Sequence, residues 1–344
     1  MTPQQNVSLR SHSTMQLGGA AAYLCDVHDR TEVEQAAQWA VGHKLPVIMV
    51  GTGSNIVWSD KGFAGLVLVS KILRFEQFEE DSENVYITVG AGELWDAVVA
   101  KTVELGLTGI EALSLIPGTA GATPIQNVGA YGQEIADTLT SIEAYDLTDK
   151  KFLTIPAADC AFGYRTSRFK TTDKGRFLIT AITLHLRRGN PMAPFYPVVQ
   201  DYFSAHQMPK PTPADLRQVV VDIRASKLPD PAKVSNCGSF FANPIITSKQ
   251  LEELLAHFPG LSYWQQDDGT YKVAAAWLVE QAGFKDAHDQ QTGMGTWPDQ
   301  ALVLVNEHAK TTADLLAFKQ KIVNKVQTMF SITLEQEPEL LGEK

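Results

Sequence analysis

Cysteine is nearly absent: Cys25, Cys160 and Cys237 are the only three in 344 residues. Their odd number, wide spacing and lack of any CxxC pair argue against a disulfide framework and a metal site, and fit a reducing compartment. Basic residues are outnumbered, 29 Lys and Arg against 39 Asp and Glu, for a formal charge of −10. A chain this acidic is a poor partner for nucleic acid or an anionic membrane, so neither is expected. No apolar run approaches the ~20 residues that span a bilayer. The opening MTPQQNVSLR lacks the apolar core of a secretory signal, so a cytoplasmic protein is expected. No GK[ST] sequence occurs, which excludes a P-loop, and no repeat or low-complexity segment is visible.

What is present suits a soluble globular enzyme, 44% hydrophobic and 20% charged. At ~150 residues per domain the length allows two or three. Residues 31–44 read as a helix capped by Thr31, with Val33, Ala36, Ala37, Trp39 and Ala40 inward. LPVIMV is a short buried strand running into 51-GTGSN-55, and 65-GLVLVSKI-72 is another strand. Val85, Ile87 and Val89 alternate as a half-buried strand does; a helix follows over 94–105 and stops at Gly106. Strands are expected at 141–147 and 177–188. Six prolines within 189–213 mark a linker carrying an ordered loop. Beyond it the patterns predict helices over 247–258, 273–284 and 312–329 and a buried strand over 301–307. The basic clusters 163-GYRTSRFKTTDKGR-176 and 224-RASK-227 read as pockets for a small anion or as solvated stretches, not as a nucleic-acid face.

The segment 113–132, LSLIPGTAGATPIQNVGAYG, holds four glycines, two prolines and no charge. Gly118, Gly121 and Gly129 let main-chain amides approach a ligand closely. Successive amides form an anion-binding concavity without any lysine. Ser54, Asn55, Thr123, Gln126 and Asn127 add neutral donors, and the apolar residues can line a flat ring. VGTGSNI lacks the third glycine of GxGxxG, and the following 56-IVWSDKGFAG-65 does not read as a helix, which argues against a Rossmann site. Two glycine-rich turns after two strands suit a large dinucleotide held by backbone; a tightly packed loop is the alternative on spacing alone.

IPGTAGATPIQNVGAYG, with VGTGSN upstream, 162-FGYRTSRFK-170, 227-KLPDPAKVSNCGSFFANP-244 and 334-LEQEP-338 together resemble the UDP-N-acetylenolpyruvoylglucosamine reductase (MurB) family, type I. The likeness runs in order over nearly the whole chain. It implies a mixed α/β (α+β) fold. Residues 1–70 and 71–212 would be two FAD-binding subdomains of the vanillyl-alcohol-oxidase (PCMH) type, the second with a tyrosine loop, and 213–344 a C-terminal α/β substrate domain. It further implies non-covalent FAD, NADPH as co-substrate and a monomer. The implied reaction reduces the enolpyruvyl ether of UDP-N-acetylglucosamine enolpyruvate to the lactyl ether of UDP-N-acetylmuramate, in peptidoglycan synthesis.

The same resemblance assigns roles to residues. Ser239 matches the proton donor to C2 of the enolpyruvyl group, and Arg165 the arginine that meets its carboxylate. Aligned without a gap, LEQE makes Glu337 the catalytic acid; a two-residue insertion would select Glu339, and Glu337 is preferred because Phe330 then keeps its spacing. Lys227 and Asn243 match residues that engage the UDP phosphates and sugar, with Tyr196 and Gln300 as further candidates. For FAD the matches are Gly51, Gly53, Ser54, Asn55, Pro117, Gly118, Gly121, Thr123, Gln126, Gly129 and Arg224. Phe240 and Phe241 are read as packing. Two other readings stay open: another FAD-dependent sugar or lactone oxidoreductase of this fold, which would attach FAD through a histidine such as His12 or His28, and a non-catalytic nucleotide-sugar binding protein.

Overall fold

The computed structural model describes residues 2–342. The chain divides into two compact units: one takes residues up to Val7, Ala21–Thr52 and Ala64–Ala225, the other Ser8–Ala20, Gly53–Phe63 and residues from Ser226 on.

The first unit holds two sheets. In the smaller, strands run in the order Gln4–Ser8, Ala20–Val27, Phe63–Ser70, Val47–Val50, the last two parallel with Val47 opposite Leu66. Helix α1, Arg30–His43, covers it with buried Val33, Ala36, Ala37 and Ala40, which join Val27, Leu66 and Leu68 in one core. The cap is Asp29 rather than Thr31: its carboxylate accepts the Glu32 amide at 2.8 Å from an extended backbone. A carboxylate there also complements the positive end of the helix dipole. Trp39 is only half-buried.

The larger sheet is antiparallel, in the order Lys151–Pro156, Leu139–Asp146, Phe177–Arg188, Asn84–Gly90, Phe75–Glu79. Leu107–Thr108 adds to the end of the long central strand. Val85, Ile87 and Val89 are fully buried, as their alternation predicts. Helix α2, Trp95–Glu104, lays Trp95, Val98 and Val99 on the same core. The strand Phe75–Glu79 has no apolar face, and pairing with its neighbour defines it.

The proline-rich stretch is more than a linker. It contains helix α3, Pro197–Ala205, and leads into helix α4, Pro213–Lys227. Pro197 occupies the first helical turn, where a missing amide leaves no hydrogen bond unmade. Val199 and Phe203 of α3 pack on Leu216, Val219 and Val220 of α4 and on Ala112.

In the second unit a sheet runs Asn236–Ser239, Gln300–Asn306, Met294–Trp297, His288–Asp289. Helices α5, Ser248–His257, α6, Ala275–Gln281, and α7, Thr312–Phe330, build its core. Along α7, Leu315, Phe318, Ile322, Val326 and Phe330 form one buried stripe at helical spacing. Helix α6 is shorter than the predicted 273–284, because Val273 closes the strand Tyr271–Val273 and Gly283 takes φ +88° just past the helix. Met15, Leu17 and Val57 belong to this core, far from it in sequence. The strand Ile56–Trp58 pairs in parallel with Glu339–Leu341.

Ile182 is fully buried at the centre of the large sheet. Replacing it by alanine should destabilise the protein by about 2–5 kcal/mol, the range for deleting a buried aliphatic side chain; a urea titration would register the loss as a lower midpoint.

Candidate active site

The turn 51–55 leaves the strand Val47–Val50 directly. Gly53 is buried with φ +73°, and a Cβ there would stand 2.1 Å from the His12 carbonyl oxygen, so no other residue fits. Its amide donates to no protein acceptor among the described residues. A buried amide left so costs about 1–3 kcal/mol unless a ligand accepts from it. A Cβ on Gly51 would fall 2.1 Å from Thr119 Oγ1, so this turn and the second glycine loop meet with no side chain on the Gly51 side. The Asn55 carbonyl accepts the Glu339 amide at 3.0 Å.

The second loop is built on left-handed backbone at Leu115, Gly118, Asn127, Tyr131 and Gly132. Gly121 backs onto Ala91: its amide donates to the Ala91 carbonyl at 3.1 Å, and a Cβ would lie 2.5 Å from that of Ala91. Thr123 is buried and its hydroxyl donates to the Ala120 carbonyl at 2.7 Å. Asn127 does not offer a donor to a ligand as the sequence suggests. Its Nδ2 donates to Glu134 Oε2 at 2.7 Å and the Gly163 carbonyl at 3.1 Å, and its Oδ1 accepts the Ala136 amide at 3.1 Å. Neither loop carries a charged side chain. An anion held there is held by main-chain dipoles, and the Gly53 amide is such a donor; these residues fit a dinucleotide.

At the far end of the loop, Arg165 donates from Nη2 to the Gly129 carbonyl at 2.6 Å. Two further arginines of the basic stretch 163–176 are tied to carboxylates. Arg168 pairs with Asp173 at 2.6 Å, and Arg176 with buried Asp146 at 2.7 Å. The Arg176 guanidinium holds the Asp146 carboxyl below the usual carboxylate range. Arg224, half-buried on α4, donates to the Leu115 carbonyl at 3.3 Å. Tyr196 precedes α3, and its ring meets that of Tyr131 edge-on at 5.7 Å. Tyr131 lies inside the glycine-rich loop, where no motif residue marks it out.

In the second unit, Ser239 ends the strand Asn236–Ser239. Gly238 before it takes φ +74° and borders open space. The Ser239 hydroxyl has no hydrogen-bond partner among the described residues. Phe241 bridges Gln336, and the Glu337 amide donates to the Phe240 carbonyl at 3.0 Å. The register thus sets Glu337 opposite Phe240, one residue from Ser239, whereas Glu339 pairs with Ile56. Phe240 and Phe241 are fully buried. Asn243 Oδ1 accepts the Ala275 amide at the start of α6, at 2.9 Å. Gln300 opens its strand with Oε1 accepting the Leu302 amide at 3.3 Å, and Lys227 is exposed at the end of α4.

Residues 21–154 match the family described as FAD binding domain, and residues 230–341 match the C-terminal domain of UDP-N-acetylenolpyruvoylglucosamine reductase. The reductase of that name from Ralstonia nicotianae is 41% identical over 96% of both chains. The chain belongs to the UDP-N-acetylenolpyruvoylglucosamine reductase family. A second such reductase, from Cupriavidus pinatubonensis, is 38% identical over 97% of both chains. The solved UDP-N-acetylenolpyruvylglucosamine reductase of Thermus caldophilus shares the fold, with a TM-score of 0.67 at 22% identity over 99% of each chain. As a member of this reductase family, the protein is an FAD-dependent oxidoreductase of peptidoglycan precursor synthesis. Among the described residues no helix is long and apolar enough to cross a membrane, and no cluster of three metal-binding side chains occurs.

Gly51→Ala drives a methyl into Thr119. The purified variant should retain less flavin, read as visible flavin absorbance per unit protein; a fully yellow variant would show that the contact between the loops does not govern retention.

Proposed function

We propose that Arg165, Ser239 and Glu337 carry the reduction of UDP-N-acetylglucosamine enolpyruvate, with NADPH as hydride donor. FAD, when bound by the two glycine loops, would supply the hydride-transfer chemistry between NADPH and C3 of the enolpyruvyl group. Negative charge then builds at C2 and in the adjoining carboxylate. Arg165 meets that charge with a planar fork suited to a carboxylate, and charge placed where it develops lowers the barrier. Ser239 protonates C2. A serine hydroxyl is a feeble acid, so the step requires a strongly basic carbanion and close placement. The absence of a hydrogen-bond partner for its hydroxyl among the described residues supports this role.

Glu337 shares a proton with the substrate carboxylate. The observation that carries this choice is the main-chain register: Glu337 opposes Phe240 next to Ser239, while Glu339 is tied to Asn55 and Ile56. Lys227 gives a point charge for the UDP phosphates. Asn243 uses its Oδ1 on α6, which leaves its Nδ2 to donate to the sugar nucleotide; Tyr196 and Gln300 are further contacts for that ligand. Gly51, Gly53, Ser54, Asn55, Pro117, Gly118, Gly121, Thr123, Gln126, Gly129 and Arg224 contact FAD. Functionally, residues 1–70 and 71–212 serve as FAD-binding subdomains and 213–344 as the substrate domain. The enzyme acts as a monomer in the cytoplasm; its three cysteines are buried and unpaired, as a reducing compartment allows.

Ser239→Ala should leave bleaching of the flavin by NADPH intact and slow turnover of the enolpyruvyl substrate by several orders of magnitude in stopped-flow and steady-state assays. Normal turnover would remove Ser239 from the mechanism. In parallel, Glu337→Gln should abolish turnover and Glu339→Gln should retain most of it; the reverse pattern would move the acid to Glu339.

A further inference from the structure

We infer that Asp96 and Arg217 are positioning residues for FAD: they lock the entry of the second glycine loop by holding Leu115 in a left-handed backbone conformation. The inference rests on the reading that residues 113–132 grip FAD.

Asp96 stands in the first turn of α2. Its Oδ1 accepts the Leu115 amide at 2.5 Å and Arg217 Nη1 at 2.7 Å, and its Oδ2 accepts Arg217 Nη2 at 3.0 Å. The arginine therefore binds the carboxylate with both arms of its fork, the geometry that fixes orientation best. Arg217 Nη1 also donates to Ser114 Oγ at 2.8 Å, and that hydroxyl donates to the Glu111 carbonyl at 2.6 Å. Beyond Leu115, its carbonyl accepts from Arg224 at 3.3 Å. Trp95 Nε1 donates to the Leu113 carbonyl at 3.1 Å and fixes the residue before Ser114.

Between these contacts, Leu115 has φ +57°. An L side chain enters that region only at a free-energy cost, so something must hold it there. Burial is not the cause, because the Leu115 side chain is 39% exposed. The polar contacts on both sides of the residue do the holding, and Pro117 and Gly118 follow at once, the latter with φ +131°. The direction of the chain into its FAD-contacting segment is thus set two residues earlier, by an ion pair between α2 and α4. Burial pushes the Asp96 carboxyl up, but Arg217 and the Leu115 amide outweigh it and hold the group below the ordinary carboxylate value. The clamp is therefore ionised when the enzyme works near neutral pH.

The test uses the yellow holoenzyme, diluted so that FAD release appears as growing free-flavin fluorescence. Asp96→Ala should release FAD about tenfold faster. Leu115→Gly alone should release it at nearly the parental rate, since glycine adopts this backbone freely. Leu115→Gly in the Asp96→Ala background should recover most of the lost retention. An ion pair that merely stabilised the fold would lower the melting temperature and would not be rescued by glycine at 115. A parental release rate in Asp96→Ala, or no recovery in the double variant, overturns the inference. If Asp96→Ala fails to fold, Arg217→Lys keeps the charge and loses the fork: faster release supports the clamp and an unchanged rate overturns it. Should Leu115→Gly and the parent both lack flavin on purification, the FAD reading of the loop itself fails.

Discussion

Two uncharged glycine loops meet where Gly51 lies against Thr119, so closely that a single methyl would fall 2.1 Å from the threonine hydroxyl. That approach dictates much of the first unit. Loops this close leave no room for lysines or arginines between Gly51 and Thr119, which favours main-chain amides as donors to a dinucleotide. Amides bind well only when their orientation is fixed in advance, because each one contributes a fixed partial charge rather than a mobile one. The fold meets this need with internal polar contacts. Asn127 ties the loop to Glu134, Gly163 and Ala136, Thr123 ties it to Ala120, and Arg165 closes on the Gly129 carbonyl. The Asn127 amide and the Thr123 hydroxyl, which look like ligand donors in the sequence, are spent on the frame that aims the backbone.

In the second unit, Ser239 is carried on the end of a strand that pairs with the buried strand Gln300–Asn306, Ser239 opposite Val303. The proton transfer proposed for it would need close seating of the hydroxyl, since a serine is a feeble acid. The neighbouring Phe240 and Phe241 are buried, which fixes the strand from below. The C-terminal segment then pairs beside it, so main-chain hydrogen bonds rather than side-chain reach decide which glutamate stands next to Ser239.

The legible and illegible parts of this protein differ by the range of the forces that shape them. Strands with one buried face announce themselves through alternation, as Val85, Ile87 and Val89 do, and the strand Phe177–Arg188 matches its predicted bounds. The strand Phe75–Glu79 is exposed along nearly its whole length, so only its partner reveals it. Helices α3 and α4 hide behind prolines, which read as breakers until they are seen to occupy first helical positions. Met15, Leu17 and Val57 pack with α7, a long-range contact that no local window contains. Arg165 and Ser239 stand out in the sequence because their neighbours form motifs. Asp96 and Arg217 lie 121 residues apart, and in the sequence each is simply a charged residue on an amphipathic helix.

Charge placement explains how an acidic protein can serve anionic ligands. A net charge of −10 gives no general attraction for a dinucleotide or a sugar nucleotide, so affinity must come from local contacts. Several arginines are committed to carboxylates: Arg168 to Asp173, Arg176 to Asp146, Arg217 to Asp96. The two glycine loops themselves offer only neutral side chains and main-chain amides. Such an arrangement gives up long-range steering and gains selectivity, because an anion binds only where its shape also matches the backbone that receives it.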